Sequence, residues 1–208
     1  MDHVVVDVEI KTPIEALPGG WDDTDKMGVA CAVVYEHSAD RFRIYGDNHL
    51  ELCDLRNRLL QADRITGFNI WNFDFPVIWG IGKADWVGPV HPAAVVDLRR
   101  QLAPKTNDIL RRIWVGLGLN PDRFSSQHAG WGLNAVVENT LNSAGKIGHG
   151  ADAPKWYQAG DWGRVANYCC DDVALERDLA AFVDRYGYVC RDGRRVYVGG
   201  EQVQTANS

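Results

Sequence analysis

The sequence predicts an α/β fold built on a mixed five-stranded sheet. Three observations carry that expectation: a β-branched run near the N-terminus, a pair of strands joined by a polar turn, and two more short strands separated by amphipathic helical stretches. Val4 to Ile10 is β-branched and stops at Lys11-Thr12-Pro13, which reads as a buried strand. A loop holding Pro18-Gly19-Gly20 follows. Residues 27–36 (MGVACAVVYE) and 41–45 (RFRIY) form two strands around the turn His37 to Asp40, giving an antiparallel three-strand start. From Asn48 to Ala62 the residues Leu50, Leu52, Leu55, Leu59 and Leu60 fall largely on one helical face, and Ile65 to Phe68 reads as the fourth strand. Residues 93–98 (AAVVDL) make the fifth, and Asp108 to Trp114, Trp131 to Leu141 and Gly163 to Tyr186 read as helices. Helical crossovers imply that the later strands join the opening meander in parallel. Asn142 to Asp161, rich in Gly, Ala and polar residues, reads as a long loop, and loops of that length usually have a function. Two short strands, Tyr188 to Arg191 and Arg195 to Val198, flank Asp192-Gly193-Arg194 as a hairpin.

A chain of 208 residues suits one domain, residues 1–198, with 199–208 as a flexible tail. Its 46% hydrophobic and 24% charged residues are those of a soluble globular protein, and a formal net charge of -6 argues against nucleic-acid binding by bulk electrostatics. Arg99, Arg100, Lys105, Arg111 and Arg112 form a local basic cluster, which is either part of a substrate groove or a solvated face. No apolar stretch approaches the roughly 20 residues of a membrane span. Met1-Asp2-His3 lacks the basic start of a secretory signal, so the expected location is cytoplasmic, without membrane attachment. Five cysteines without C-x-x-C spacing read as reduced thiols.

Three segments carry acids where a core is expected. Asp7 and Glu9, two apart on an apolar strand, point to the same face. Neighbouring buried carboxylates repel, and a hard divalent cation is the simplest compensation. An edge strand with both acids in water fits the same spacing. In TGFNIWNFDFPVI, Thr66 to Ile78, Asp74 lies between Phe73 and Phe75, either as a site acid or as a helix cap among core aromatics. In YCCDDVAL, Tyr168 to Leu175, Tyr168 and Asp172 share a helical stripe that continues through Leu175, Leu179, Phe182 and Tyr186. Four converging carboxylates would suit two divalent metals about 3.5–4 Å apart, the arrangement that cleaves phosphodiesters by in-line displacement.

In this order, VVVDVE, TGFNIWNFDFP and YCCDD resemble the three motifs of the DEDD superfamily of 3′-5′ exonucleases, whose fold is ribonuclease H-like. The middle string is similar to that of the proofreading domain of family B DNA polymerases, and the resemblance spans roughly Val4 to Tyr186. It implies that Asp7, Glu9, Asp74 and Asp172 hold two divalent ions, Mg²⁺ or Mn²⁺. The residue four before the last Asp is Tyr168 and the one five before it is Asn167, so the chain resembles the tyrosine subclass, in which the phenol orients the attacking water.

The resemblance implies removal of nucleoside 5′-monophosphates from single-stranded 3′ ends, DNA before RNA. RNA trimming is the alternative within the subclass, and a binding or assembly module without activity is the more distant one. Asn69 and Asn72 are candidates to contact the terminal nucleotide, Phe73 or Phe75 to stack on its base, and Lys146 and His149 to meet phosphate, with core packing or a solvated loop as the competing roles. Asp97 is an extra acid expected to support the site or cap a turn, while Trp71 and Trp156 neighbour the motifs. A polymerase or another replication or repair partner would be a separate chain.

Overall fold

A computed structural model describes residues 1–82, 88–102, 132–143, 145 and 148–198. The elements run β1 (His3–Ile10), 3-10 turns at Ile14–Ala16 and Gly20–Asp22, α1 (Thr24–Met27), β2 (Val29–Glu36), β3 (Arg41–Tyr45), α2 (His49–Gln61), β4 (Arg64–Gly67) and α3 (Asp74–Trp79). They continue with β5 (Val95–Asp97), α4 (Leu133–Leu141), α5 (Ala153–Gln158), α6 (Trp162–Tyr186), β6 (Tyr188–Arg191) and β7 (Arg194–Tyr197). The main sheet has the order β3-β2-β1-β4-β5. Its first three strands are antiparallel, and β4 and β5 are parallel to β1. This is the expected mixed α/β sheet, a ribonuclease H-like arrangement.

The residues form two compact units, Met1–Asp97 with Lys146–Arg177, and Leu98–Gly145 with Asp178–Ser208. In the first unit, alternation along β1 splits its side chains between two layers. Val4, Val6, Val8 and Ile10 enter a core with Leu55 and Leu59 of α2 and Phe75, Val77 and Ile78 of α3. On the opposite face, Val5 packs with Ala30, Cys31, Val33 and Tyr35 of β2 and with Val165, Cys169 and Val173 of α6. Period-2 geometry therefore sends Asp7 and Glu9 toward α6. At the other end of the sheet, Arg58 donates to Glu36 Oε1 at 2.6 Å and to both Asp2 oxygens at 2.8 Å, tying α2 to the first two strands. Burial raises the Glu36 carboxyl, but the guanidiniums of Arg58 and Arg41 outweigh it and hold that group below its ordinary range.

In the second unit, Thr140 of α4 accepts from Cys190 N at 3.0 Å and donates to Cys190 O at 3.3 Å, fastening the edge of β6. The β6–β7 turn is the two-residue Asp192-Gly193, with φ of 48° and 71°. Two positive φ angles are what a type I′ turn needs, so Arg194 opens β7 instead of belonging to the turn.

Other boundaries also differ from the sequence reading. Gly28 adopts φ 65°, which ends α1 and delays β2 to Val29, so Met27 is helical. Pro92–Ala94 form a 3-10 turn, which leaves β5 only three residues. The stretch 142–161 contains a 3-10 turn at Gly150–Asp152 and all of α5. Pro154 near the start of α5 and the packing of Trp156 and Tyr157 explain that helix. The helix expected at Asp108 to Trp114, the cluster residues Lys105, Arg111 and Arg112, and the tail lie outside the described residues. Among the described residues no helix is long and apolar enough to cross a membrane.

Candidate metal centre

β1 pairs with β2 from Val4 to Ile10, with a register shift between Glu9 and Ile10, but with β4 only through His3, Val4 and Val5. β4 ends at Gly67, where a Cβ would come within 3.0 Å of the Val6 carbonyl oxygen. Glycine allows that approach, and the chain then turns away. Past the last paired residue, Asp74 Oδ1 accepts a hydrogen bond from Val8 N at 3.1 Å, so a helix side chain replaces a ladder partner. From β1 the sheet is extended toward β2, and from β4 toward β5. The gap between the carboxyl ends of two such strands is where open α/β sheets bind ligands.

Asp7, Glu9 and Asp172 each bring a carboxylate oxygen into this region, all within 4.8 Å of one another. Glu9 is 6% and Asp172 1% exposed, and Asp7 is half-buried. The Asp172 Oδ1 atom is fully buried. Oxygens bound to one hard cation at about 2.1–2.5 Å lie at most about 4–5 Å apart, so the three groups have the spacing and chemistry to hold one. Without a cation, bringing three carboxylates together out of water is costly.

Asp74 is outside this group of three but feels the charge of Asp7. Burial above all, then the carboxylates of Asp7 and Asp97, push its carboxyl well above the ordinary range, against the backbone N–H bonds that it accepts. Asp97, itself buried, accepts from Asn69 N at 3.0 Å and Trp71 N at 3.2 Å, the supporting role expected of it. Asn69 has φ 70°, a conformation Asn tolerates, and accepts from Asn72 Nδ2 at 3.2 Å. Both asparagines thus have a structural task in the turn that presents Asp74.

Tyr168 lies one turn before Asp172 on α6 and is buried, with the Trp156 ring edge-on to it at 5.6 Å. The backbone of 148–150 crosses it. A Cβ on Gly148 would meet the Tyr168 ring at 3.3 Å, and one on Gly150 would lie 3.9 Å from its hydroxyl. His149 is therefore carried next to Tyr168, while Lys146 lies outside the described residues. Cys169 directs its Sγ at Asp7, donating to the main-chain oxygen at 3.4 Å and to Oδ2 at 3.6 Å.

Two expectations need correction. Phe75 is fully buried, edge-on to Trp71 at 5.3 Å and to Trp79 at 5.7 Å, so it is a core residue with no face left for a base. Phe73 is half-buried and faces Trp21 at 5.8 Å, and Trp21 is 62% exposed. The buried stripe of α6 also runs differently, through Val165, Tyr168, Cys169, Asp172, Val173, Glu176, Leu179 and Val183. Leu175 and Phe182 are only half-buried and Tyr186 is exposed, because the stripe's centre passes between the 3- and 4-residue steps. Reading the sequence alone missed Trp21, whose signal was a tryptophan in a Gly- and Asp-rich loop, and Glu176, one turn beyond Asp172.

No protein-family model and no curated protein sequence matches the chain. Among solved structures, it is similar to the family B DNA polymerase from the hyperthermophilic archaeon Pyrobaculum calidifontis, with a TM-score of 0.52 at 16% identity. The chain has a polymerase-related fold. The match covers 88% of this chain and 24% of the polymerase, so the chain spans about a quarter of that protein's length.

Proposed function

We propose that the chain is a metal-dependent 3′-5′ exonuclease that removes nucleoside 5′-monophosphates from single-stranded DNA ends. The observation that carries this reading is the meeting of the Asp7, Glu9 and Asp172 carboxylates within 4.8 Å, with the buried Asp74 repelled by the Asp7 charge. The motif resemblance and the polymerase-related fold support it. Asp7, Glu9 and Asp172 would hold one divalent ion directly, and Asp74 would help hold a second against Asp7. When bound, two such ions supply neutralisation of the charge that develops on the phosphodiester.

The chain's own groups do the rest. The Tyr168 hydroxyl hydrogen-bonds the attacking water and orients it toward phosphorus. Asp97 keeps the 69–72 turn in shape, so that Asp74 and Phe73 stay fixed relative to the acids. Phe73 and Trp21 offer aromatic faces to the terminal base, and Asn69, Asn72 and His149 are the candidates to contact the strand.

A 5′-labelled single-stranded oligonucleotide, as DNA and as RNA, incubated with Mg²⁺ or Mn²⁺, tests the proposal. Stepwise shortening that stops with chelator and in Asp74→Ala supports it. Intact DNA and RNA with both metals would replace it by a binding module without activity. Faster RNA shortening would move the substrate to RNA 3′ ends.

A further inference from the structure

We propose that the β6–β7 hairpin and the last turn of α6 form a surface for single-stranded nucleic acid, built from none of the residues of the acidic cluster. The pairing of β6 with β7 sets Tyr188 opposite Tyr197 and Cys190 opposite Arg195. These four residues share one face, while Val189, opposite Val196, belongs to the other and is fully buried. The face carrying the two tyrosines is thus the one turned away from the packed side of the hairpin.

The rings there form a connected ladder. Phe182 lies 4.6 Å from Tyr186 and 5.4 Å from Tyr188, Tyr186 lies 6.2 Å from Tyr188, and Tyr188 lies 5.6 Å from Tyr197. Tyr186 is 48% exposed, so one ring of the ladder is open to a ligand. Two guanidiniums sit on this ladder, Arg185 at 5.3 Å over Tyr186 and Arg195 at 4.8 Å over Tyr188.

Charge selects the ligand. Residues 182–198 carry Arg185, Arg191, Arg194 and Arg195 against Asp184 and Asp192, in a chain whose net charge is -6. Arg191 pairs with Asp192 at 3.3 Å. The arginines on the ladder bring planar cations next to aromatic faces, the combination on which bases stack while phosphates are neutralised. Stacking is indifferent to base identity, so the surface would grip a strand of any sequence. The rigid two-residue turn holds both strands in register, so the ladder is presented as one unit. This inference adds to the nuclease reading without depending on it.

Fluorescence anisotropy of a labelled 20-nucleotide oligothymidylate, with the full chain in chelator, tests it without cleavage. The double variant Arg185→Ala/Arg195→Ala is expected to bind about tenfold or more weakly at low salt. Losing two phosphate contacts should also flatten the slope of log affinity against log salt by about 1.4. Tyr186→Ala is expected to weaken binding severalfold with the slope unchanged, which separates stacking from charge. Circular dichroism and melting checks that both variants fold, and cleavage of a trinucleotide should proceed as in the wild type. Wild-type protein that does not bind the 20-mer, or folded variants that bind it with unchanged affinity and slope, would overturn the proposal. Equal displacement of the 20-mer by polyglutamate would overturn it too, reassigning the surface to an acidic protein partner.

Discussion

Replacing Asp74 by asparagine should stabilise the protein in chelator and remove the part of the Mn²⁺ stabilisation that comes from the second ion, leaving the part that Asp7, Glu9 and Asp172 provide. Asparagine keeps the shape and the acceptor for Val8 N, now 3.1 Å from Oδ1, but not the charge. That charge is opposed by burial and by Asp7, so the folded carboxyl binds its proton more tightly than the unfolded one. A carboxyl raised in this way costs nothing below its unfolded range. Its penalty grows as pH rises through that range and levels off above the folded value. The gap between variant and wild type should therefore be small near pH 4, where the penalty only begins, and wider by pH 7. Relieving a strained site is worth about 0.5–2 kcal/mol. For a chain of this length each kcal/mol moves Tm by about 2–4 °C, which makes a rise of roughly 1–8 °C. The ion that Asp74 helps hold, at a hundred times its Kd, adds about 2.7 kcal/mol to the wild type alone, so the order of stability should reverse with Mn²⁺. Scanning fluorimetry in chelator at pH 4 and 7, then with Mn²⁺, reads all of this. A variant that melts below the wild type at pH 7 in chelator, or an equal Mn²⁺ shift in both proteins, would refute the reasoning.

Three further outcomes are expected. Tyr168→Phe should slow cleavage by about 10²–10⁴-fold while Mn²⁺ binding by calorimetry stays unchanged, and near-normal turnover would remove the phenol from its role. Trp21→Ala should cost about 1–3 kcal/mol of substrate binding, seen as a higher KM with little change in kcat. Arg58→Ala should destabilise by about 1–3 kcal/mol in urea unfolding, because Glu36 and Asp2 lose their bonds to it while Arg41 still pairs with Glu36. Since the Glu36 carboxyl is held low, its contribution is present above the ordinary carboxylate range and fades as pH falls through the folded value. The Arg58 deficit should accordingly shrink in acid, and a deficit independent of pH would show that it is a packing loss.

Much of the fold was legible because its signals are local. Alternation along β1 marks both its layers and its two misplaced acids, and the polar turn at His37 to Asp40 marks the first hairpin. Asp97 was recognisable as a supporting acid, and its bonds to the 69–71 backbone give it that work. What was not legible depends on contacts across the chain. Phe73 and Phe75 flank the same aspartate, and only the packing of Trp71 and Trp79 around one of them decides which is core. α5 was hidden by the Gly- and Ala-rich composition around it, since its stability comes from Trp156 and Tyr157 packing on the sheet. Glu176 was masked by Leu175 beside it, because a period of 3.6 does not say which of two neighbours faces inward.

The central claim is that the acid cluster cuts single strands from the 3′ end, and the polarity of the products tests it most directly. Wild-type protein and Mg²⁺ or Mn²⁺ should release labelled mononucleotide at once from a 3′-labelled single strand, while the same strand labelled at its 5′ end shortens one nucleotide at a time. Intact strands with both metals, internal fragments of many lengths, or mononucleotide released first from the 5′ label would contradict it.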